Sequence, residues 1–110
     1  MKIKGQKIYI SQGDSFDIPF ILVADDKDVI SKFEPTDKIV WVLKHDSCHR
    51  PVLVKEITGI DGTQFEVSVT REESKRICEG KYEYGVFVES GENGRLTIVK
   101  PTEFVVERGV

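Results

Sequence analysis

Apolar and polar residues alternate at period two over most of this chain, and the alternation divides it into short strands. Phe16, Ile18, Phe20 and Leu22 occupy every second position and so point to one side of an extended segment, the side expected to be core. Residues 7–11 alternate as a shorter strand before it, with Gln12, Gly13 and Asp14 supplying the turn between them. Pro19 falls on the opposite parity and has no amide hydrogen, so an unpaired stretch or a bulge is expected near the middle of that strand. After a polar turn over residues 24–28, residues 38–44 place Ile39, Trp41 and Leu43 on one face and Val40 and Val42 on the other. A strand apolar on both faces is either central and covered on both sides, or meets an interface with its second face.

The polar segment 45–50 is followed by a β-rich run over residues 51–57. Asp61 and Gly62 then suit the positive φ angles of a tight hairpin turn, leading into Phe65, Val67 and Val69 with outward Gln64, Glu66 and Ser68. Thr70 and Glu73 have capping-box spacing, which predicts a helix over residues 71–78 ended by Gly80. Tyr82, Tyr84, Val86 and Val88 share one face of the next strand, residues 92–94 turn the chain, and strands over 96–99 and 104–107 complete it.

Roughly eight short strands, turning about every ten residues and joined by one short helical crossover, describe an all-β, immunoglobulin-like antiparallel sandwich formed by residues 1–110 as one domain. Trp41 lies on an early central strand and Tyr82 opens a late strand just after a helical corner. In immunoglobulin-like sandwiches a tryptophan packs at the first place, and a tyrosine at the second hydrogen-bonds back across the corner. Tyr84 then takes the place of a cysteine in antibody domains; the alternative is that any large aromatic serves to fill such a core. The expected structural core comprises Phe16, Ile18, Phe20, Trp41, Tyr82 and Tyr84.

Composition narrows the possible partners. The chain has 110 residues, a formal charge of −3 and 32% charged residues without a basic run, which gives no general attraction to phosphate backbones or anionic lipid. Neither nucleic acid nor membrane is expected as a partner. The first residues lack the apolar stretch of a signal peptide, and no segment has the length of a membrane span, so a soluble chain made in the cytoplasm is expected. Its two cysteines, Cys48 and Cys78, do not amount to a disulfide framework. A domain of this size buries well under about three quarters of its unfolded surface, so a deep ligand cavity is not expected.

His45, Cys48, His49 and Cys78 contain the ligand types of a tetrahedral zinc site, but their spacing matches no common zinc pattern. Asp25, Asp26 and Asp28 lack the glycine and distal glutamate of a calcium loop. Cys48 beside His45 or His49 is the one thiol–imidazole combination, placed in a polar loop that does not hold it in the geometry activation requires. Gly91 and Gly94 read as turn residues, not as a phosphate loop. No cofactor, metal or catalytic activity is therefore expected.

In their order, the opening IYISQGDSFDIPFIL, the middle DKIVWVLK, the late TREESKRICEGKYEYGVFVE and the closing GRLTIVKPTEFVVERGV make the chain similar to a known family. It resembles the immunoglobulin-like domains of tailed-phage and prophage structural proteins, among them the amino-terminal domain of siphophage baseplate upper proteins. The resemblance implies an adaptor that docks into a ring or tail assembly, with no catalytic residues to carry over. It implies a virion component assembled in the bacterial cytoplasm, whose partners are other phage structural proteins or further copies of itself. A baseplate upper protein continues into a receptor-platform region, which this chain does not contain, so a stand-alone tail, neck or baseplate component and a fragment both remain open. A carbohydrate-binding sandwich is the alternative reading, since fold does not decide function. For docking, the second apolar parity of the third strand and the opposed position of Phe87 make Val40, Val42 and Phe87 the expected interface residues, unless the helical segment covers them.

Overall fold

The computed structural model describes residues 7–22, 32–45, 50–91 and 94–109. They form seven strands and one short helix: β1 (Ile8–Ser11), β2 (Phe16–Ile21), β3 (Lys38–His45), β4 (Pro51–Ile57), β5 (Gln64–Val69), α1 (Arg71–Lys75), β6 (Gly80–Ser90) and β7 (Gly94–Glu107). A five-stranded sheet in the order β1-β7-β6-β3-β4 faces a two-stranded sheet of β2 and β5. All neighbours are antiparallel except β1, which runs parallel to the end of β7. The fold is an all-β sandwich, and its larger sheet has the strand order of an immunoglobulin-like domain.

Alternation decides which side chains face inward. Ile39, Trp41 and Leu43 from β3, Tyr82, Tyr84, Val86 and Val88 from β6, and Phe104 and Val106 from β7 meet Phe20, Phe65, Val67 and Val69 of the small sheet in one core. Of the six core residues expected from sequence, Phe20, Trp41, Tyr82 and Tyr84 are buried, whereas Phe16 and Ile18 are half-buried and pack against the core from its margin. Phe20 reaches across the sandwich to Tyr84, with ring centroids 6.2 Å apart, so an aromatic pair joins the two sheets where antibody domains use a disulfide. The corner before β6 is closed as expected: the Tyr82 hydroxyl donates to the Cys78 carbonyl at 2.6 Å.

Four features differ from the sequence reading. Strands expected over 96–99 and 104–107 are one continuous β7, giving seven strands among the described residues instead of about eight. Pro101, which lacks an amide hydrogen, sits in β7 just where its register with β6 shifts, so the irregularity absorbs it without ending the strand. β4 and β5 are not a hairpin: β4 pairs β3 and β5 pairs β2. Residues 58–63 therefore cross between sheets, with Gly62 at φ 132° pairing Phe33 on the way. The crossing lets Phe65, Val67 and Val69 face the opposite sheet, whose apolar side no hairpin partner of β4 could have covered.

Pro19 causes no bulge, for β2 and β5 stay in register from Phe16↔Val69 to Ile21↔Gln64. The Leu22 amide donates to the Thr63 carbonyl at 2.7 Å, so even-numbered β2 residues turn their backbone groups toward β5 and odd-numbered ones turn away. Pro19 lacks its N–H on the side where β5 needs none. Finally, α1 ends at Lys75 with Arg76 as its C-cap, shorter than the expected 71–78, although both bonds of the Thr70–Glu73 capping box form.

Candidate functional site

The outer face of the five-stranded sheet, turned away from the core, carries the apolar surface that the second parity of β3 implied. Register places Val42 between Val54 of β4 and Gly85 of β6, and Val40 between Glu56 and Phe87. Because Gly85 has no side chain, the floor between Val42 and the bulged part of β7 is open. The result is a groove of about 250 Å³ bordered by Val42, Phe87, Val99 and Pro101, with Lys44, Glu83 and Arg95 at its margins. A Cβ on Gly85 would stand 3.3 Å from the Val99 carbonyl oxygen, so the glycine also permits β7 to approach this closely. The groove thus has an apolar centre with charged side chains among its lining residues.

Three residues were expected to form this interface, and the structure separates them. Val42 and Phe87 are half-buried and border the groove. Val40 does not belong to an accessible interface: it is 4% exposed. Its cover comes from its own sheet. Lys38, two residues before it on the same face, bridges Glu56 at 2.9 Å and Glu89 at 3.9 Å on either side. Those carboxylates, and the hydrogen bond to Glu56 first of all, raise the lysine pKa. Phe87 in turn lies under the Arg95 guanidinium, 3.9 Å from its ring centroid, an arrangement that stabilises both by cation–π attraction.

The helical segment does not cover this face. α1 lies against the turn after β1 and the inward side of β4: Gly13 N–H donates to Ser74 Oγ at 2.9 Å, and Lys55, opposite Trp41 in register, reaches Glu73 at 2.6 Å. The exposed aliphatics of β4, Val52 at 45% and Val54 at 46%, were missing from the expected interface. Their signal was present, since residues 51–54 are apolar at both parities just as 39–43 are.

The zinc ligand set is only partly described. Cys48 and His49 lie outside the described residues, as do Asp25, Asp26 and Asp28. His45 packs edge-on against Tyr82 at 5.3 Å, and Tyr82 holds the Cys78 carbonyl, so His45 and Cys78 share one end of the sandwich although the sequence offered no reason to place them together. Burial, and then the nearby Cys78, raise the Tyr82 phenol pKa. Among the described residues no three His, Cys, Asp or Glu side chains converge as a metal site. A wider, shallow recess of about 610 Å³ lies at the same end, where Arg71, Lys75 and Arg108 accompany Asp14 and Ser15. Its excess of cations can attract an anionic group. No helix among the described residues is long and apolar enough to cross a membrane. Comparison with known proteins found no family model and no curated sequence that matches this chain.

Proposed function

We propose that this sandwich is a non-catalytic adaptor that docks onto other proteins through the outer face of its five-stranded sheet, as a tail, neck or baseplate component of a phage or prophage particle. The observation that carries the docking role is the exposed pair Val52 and Val54 on β4, the outermost strand among the described residues, with Val54 directly beside Val42. Aliphatic surface joined across strands in this way is what interaction sites expose. The place in a phage particle rests on the ordered resemblance of the strand and corner segments, not on the groove. Two features favour a protein over a sugar. The groove is smaller than the roughly 300–1,000 Å³ of small-molecule sites, and Phe87, the aromatic at its border, is half-buried with its ring already under the Arg95 guanidinium, whereas sugar sites stack their ligand on open aromatic faces. Tyr9, the strongly exposed aromatic among the described residues, belongs to β1 at the far edge of the sheet.

The test is co-expression with the proteins encoded on either side of it, followed by affinity purification. Capsid, portal or tail proteins that co-purify with the wild type and are lost with Val54→Glu would support the proposal. A folded wild type that retains none of them would refute it.

A further inference from the structure

We propose that the recess between the turn after β1, α1 and the end of β7 is an anion-binding site, and that it takes the side-chain carboxylates of an acidic segment of another protein. It shares no lining residue with the groove on the outer face of the five-stranded sheet and does not rest on that docking role.

Helix spacing and backbone hydrogen bonds bring the cations together. Arg71 and Lys75 stand four residues apart on α1, so one turn of helix sets them side by side on one face. Arg108 follows β7 and is drawn to the same place by Gln12, whose amide donates to the Glu107 carbonyl at 2.9 Å and whose Nε2 donates to the Lys75 carbonyl at 3.3 Å. One side chain and its amide thus tie α1 and β7 to the turn. Gly13, at φ 90°, donates its amide to Ser74 Oγ at 2.9 Å, and a Cβ there would stand 3.8 Å from Lys75 Cγ, so the lysine stem runs over the glycine. A Cβ on Gly109 would collide with the Gln12 carbonyl oxygen, so only glycine lets the chain after Arg108 pass this close to the turn.

The concavity so formed, of about 610 Å³, is lined by Arg71, Lys75 and Arg108, with Asp14 as the carboxylate among its lining residues. Three cations against one carboxylate make a positive excess on a chain whose net charge is −3. A concave surface lined by one sign of charge concentrates counter-ions within it. Like charges one helical turn apart also oppose each other, and an anion bound between Arg71 and Lys75 would relieve that opposition.

The donors select the occupant. Phosphate cradles are built from successive backbone amides aimed at the anion, but in this turn the amides of Gln12, Gly13 and Asp14 are spent on Glu107, Ser74 and Ser11. What the recess presents instead is guanidinium and ammonium groups on exposed side chains, and guanidinium forks pair with carboxylates through two parallel bonds. Its volume is far larger than one small anion needs. A nucleic acid would carry its charge beyond the recess over a chain of net negative charge, which repels it. A short acidic segment of protein fits both the width of the recess and its three cations.

The experiment titrates the full chain, labelled with nitrogen-15, with capped tetraglutamate at low salt and follows the backbone amides. Those of Gly13, Ser15, Arg71, Lys75 and Gly109 should shift together and saturate, whereas capped tetraglutamine should leave them in place. Salt at about 0.5 M should release the peptide, since screening then cuts the reach of exposed charges to a few ångströms. Arg71→Gln and Arg108→Gln should each weaken binding roughly two- to fivefold, the worth of one exposed ion pair. Asp14→Asn should strengthen it, and Val54→Glu, on the outer face, should leave it unchanged. Lack of a saturating shift at millimolar peptide overturns the proposal, as do shifts spread evenly over all the lysines and arginines, or full affinity in the folded Arg71→Gln, Arg108→Gln double variant. Inorganic phosphate or a single-stranded oligonucleotide that displaces the peptide from these amides at lower concentration than tetraglutamate overturns the assigned occupant. Loss of binding in Val54→Glu overturns the separation of the two sites.

Discussion

Replacing Trp41 with alanine should nearly exhaust the stability of this domain. The indole is fully buried and packs between Tyr84, with centroids 6.2 Å apart, and Phe104, 6.0 Å away. A buried aromatic removes about 150–250 Å² from water, which at about 25 cal/mol per Å² amounts to roughly 4–6 kcal/mol. Truncations of this kind cost about 3–5 kcal/mol, against about 5–15 kcal/mol for a whole domain. One detail tempers the phenylalanine variant: indole Nε1 is buried without a hydrogen-bond partner among the described residues. Trp41→Phe therefore loses packing volume but also removes a donor whose unsatisfied burial costs about 1–3 kcal/mol, so its net cost should stay below about 2 kcal/mol. Urea unfolding followed by far-ultraviolet circular dichroism measures both variants, since the chain's single tryptophan is lost in each. Equal costs for Phe and Ala would refute the role of the orphan donor, and a near-neutral alanine variant would remove Trp41 from the core.

Tyr82→Phe should lower unfolding free energy by about 0.5–1.5 kcal/mol, the worth of one hydrogen bond, with no change in the strand spectrum; a neutral result would mean that the bond to the Cys78 carbonyl contributes nothing. Glu73 should shape the acid limb of the stability curve. Its pKa is lowered first by Lys55 and then by the Thr70 amide. A carboxyl depressed in the folded state stabilises fully above its unfolded pKa, about 4.3 for glutamate, and that contribution fades as pH falls through the folded value. Glu73→Gln should thus be less stable than wild type at neutral pH, with the gap narrowing below about pH 4 in denaturant titrations. A gap that stays constant with pH would contradict the Lys55–Glu73 linkage. Val54→Glu, at a half-exposed site, should change stability by no more than about 0.5 kcal/mol in the same titrations, and a larger loss would put that side chain inside the fold.

Where one face of a strand is buried and the other wet, the sequence discloses the strand directly. Phe65, Val67 and Val69 against Gln64, Glu66 and Ser68, and the Tyr82-to-Val88 series, were legible for this reason. The Thr70–Glu73 box was legible because its chemistry is local. What the sequence left hidden was pairing. Asp61 and Gly62 suit a hairpin turn equally well whether the next strand returns beside its predecessor or crosses to another sheet, and only the need to cover the opposite core decides. That the strands expected over 96–99 and 104–107 are one was hidden because the shift in register that accommodates Pro101 depends on the partner strand.

The apolar outer face of the five-stranded sheet was legible in kind, but not which residues expose it. Two apolar parities in β3 signalled a second covered or contacted face, but sequence could not tell that Val40 would be covered by its own neighbours around Lys38. Nor did it reveal that Val52 and Val54 would carry the exposed area, since that follows from the position of β4 at the edge of the sheet. The groove itself exists because Gly85 meets the irregular part of β7, a coincidence of register between residues far apart in sequence.

Sedimentation velocity tests the docking claim most directly. Wild type and Val54→Glu would be run at equal concentration, each alone and mixed with the proteins encoded on either side of this chain. If the outer face of the five-stranded sheet is the docking surface, the wild type will move into a faster complex while the variant, still folded, sediments as it does alone. A variant that enters the complex as well as wild type would show that this face is not where the protein binds.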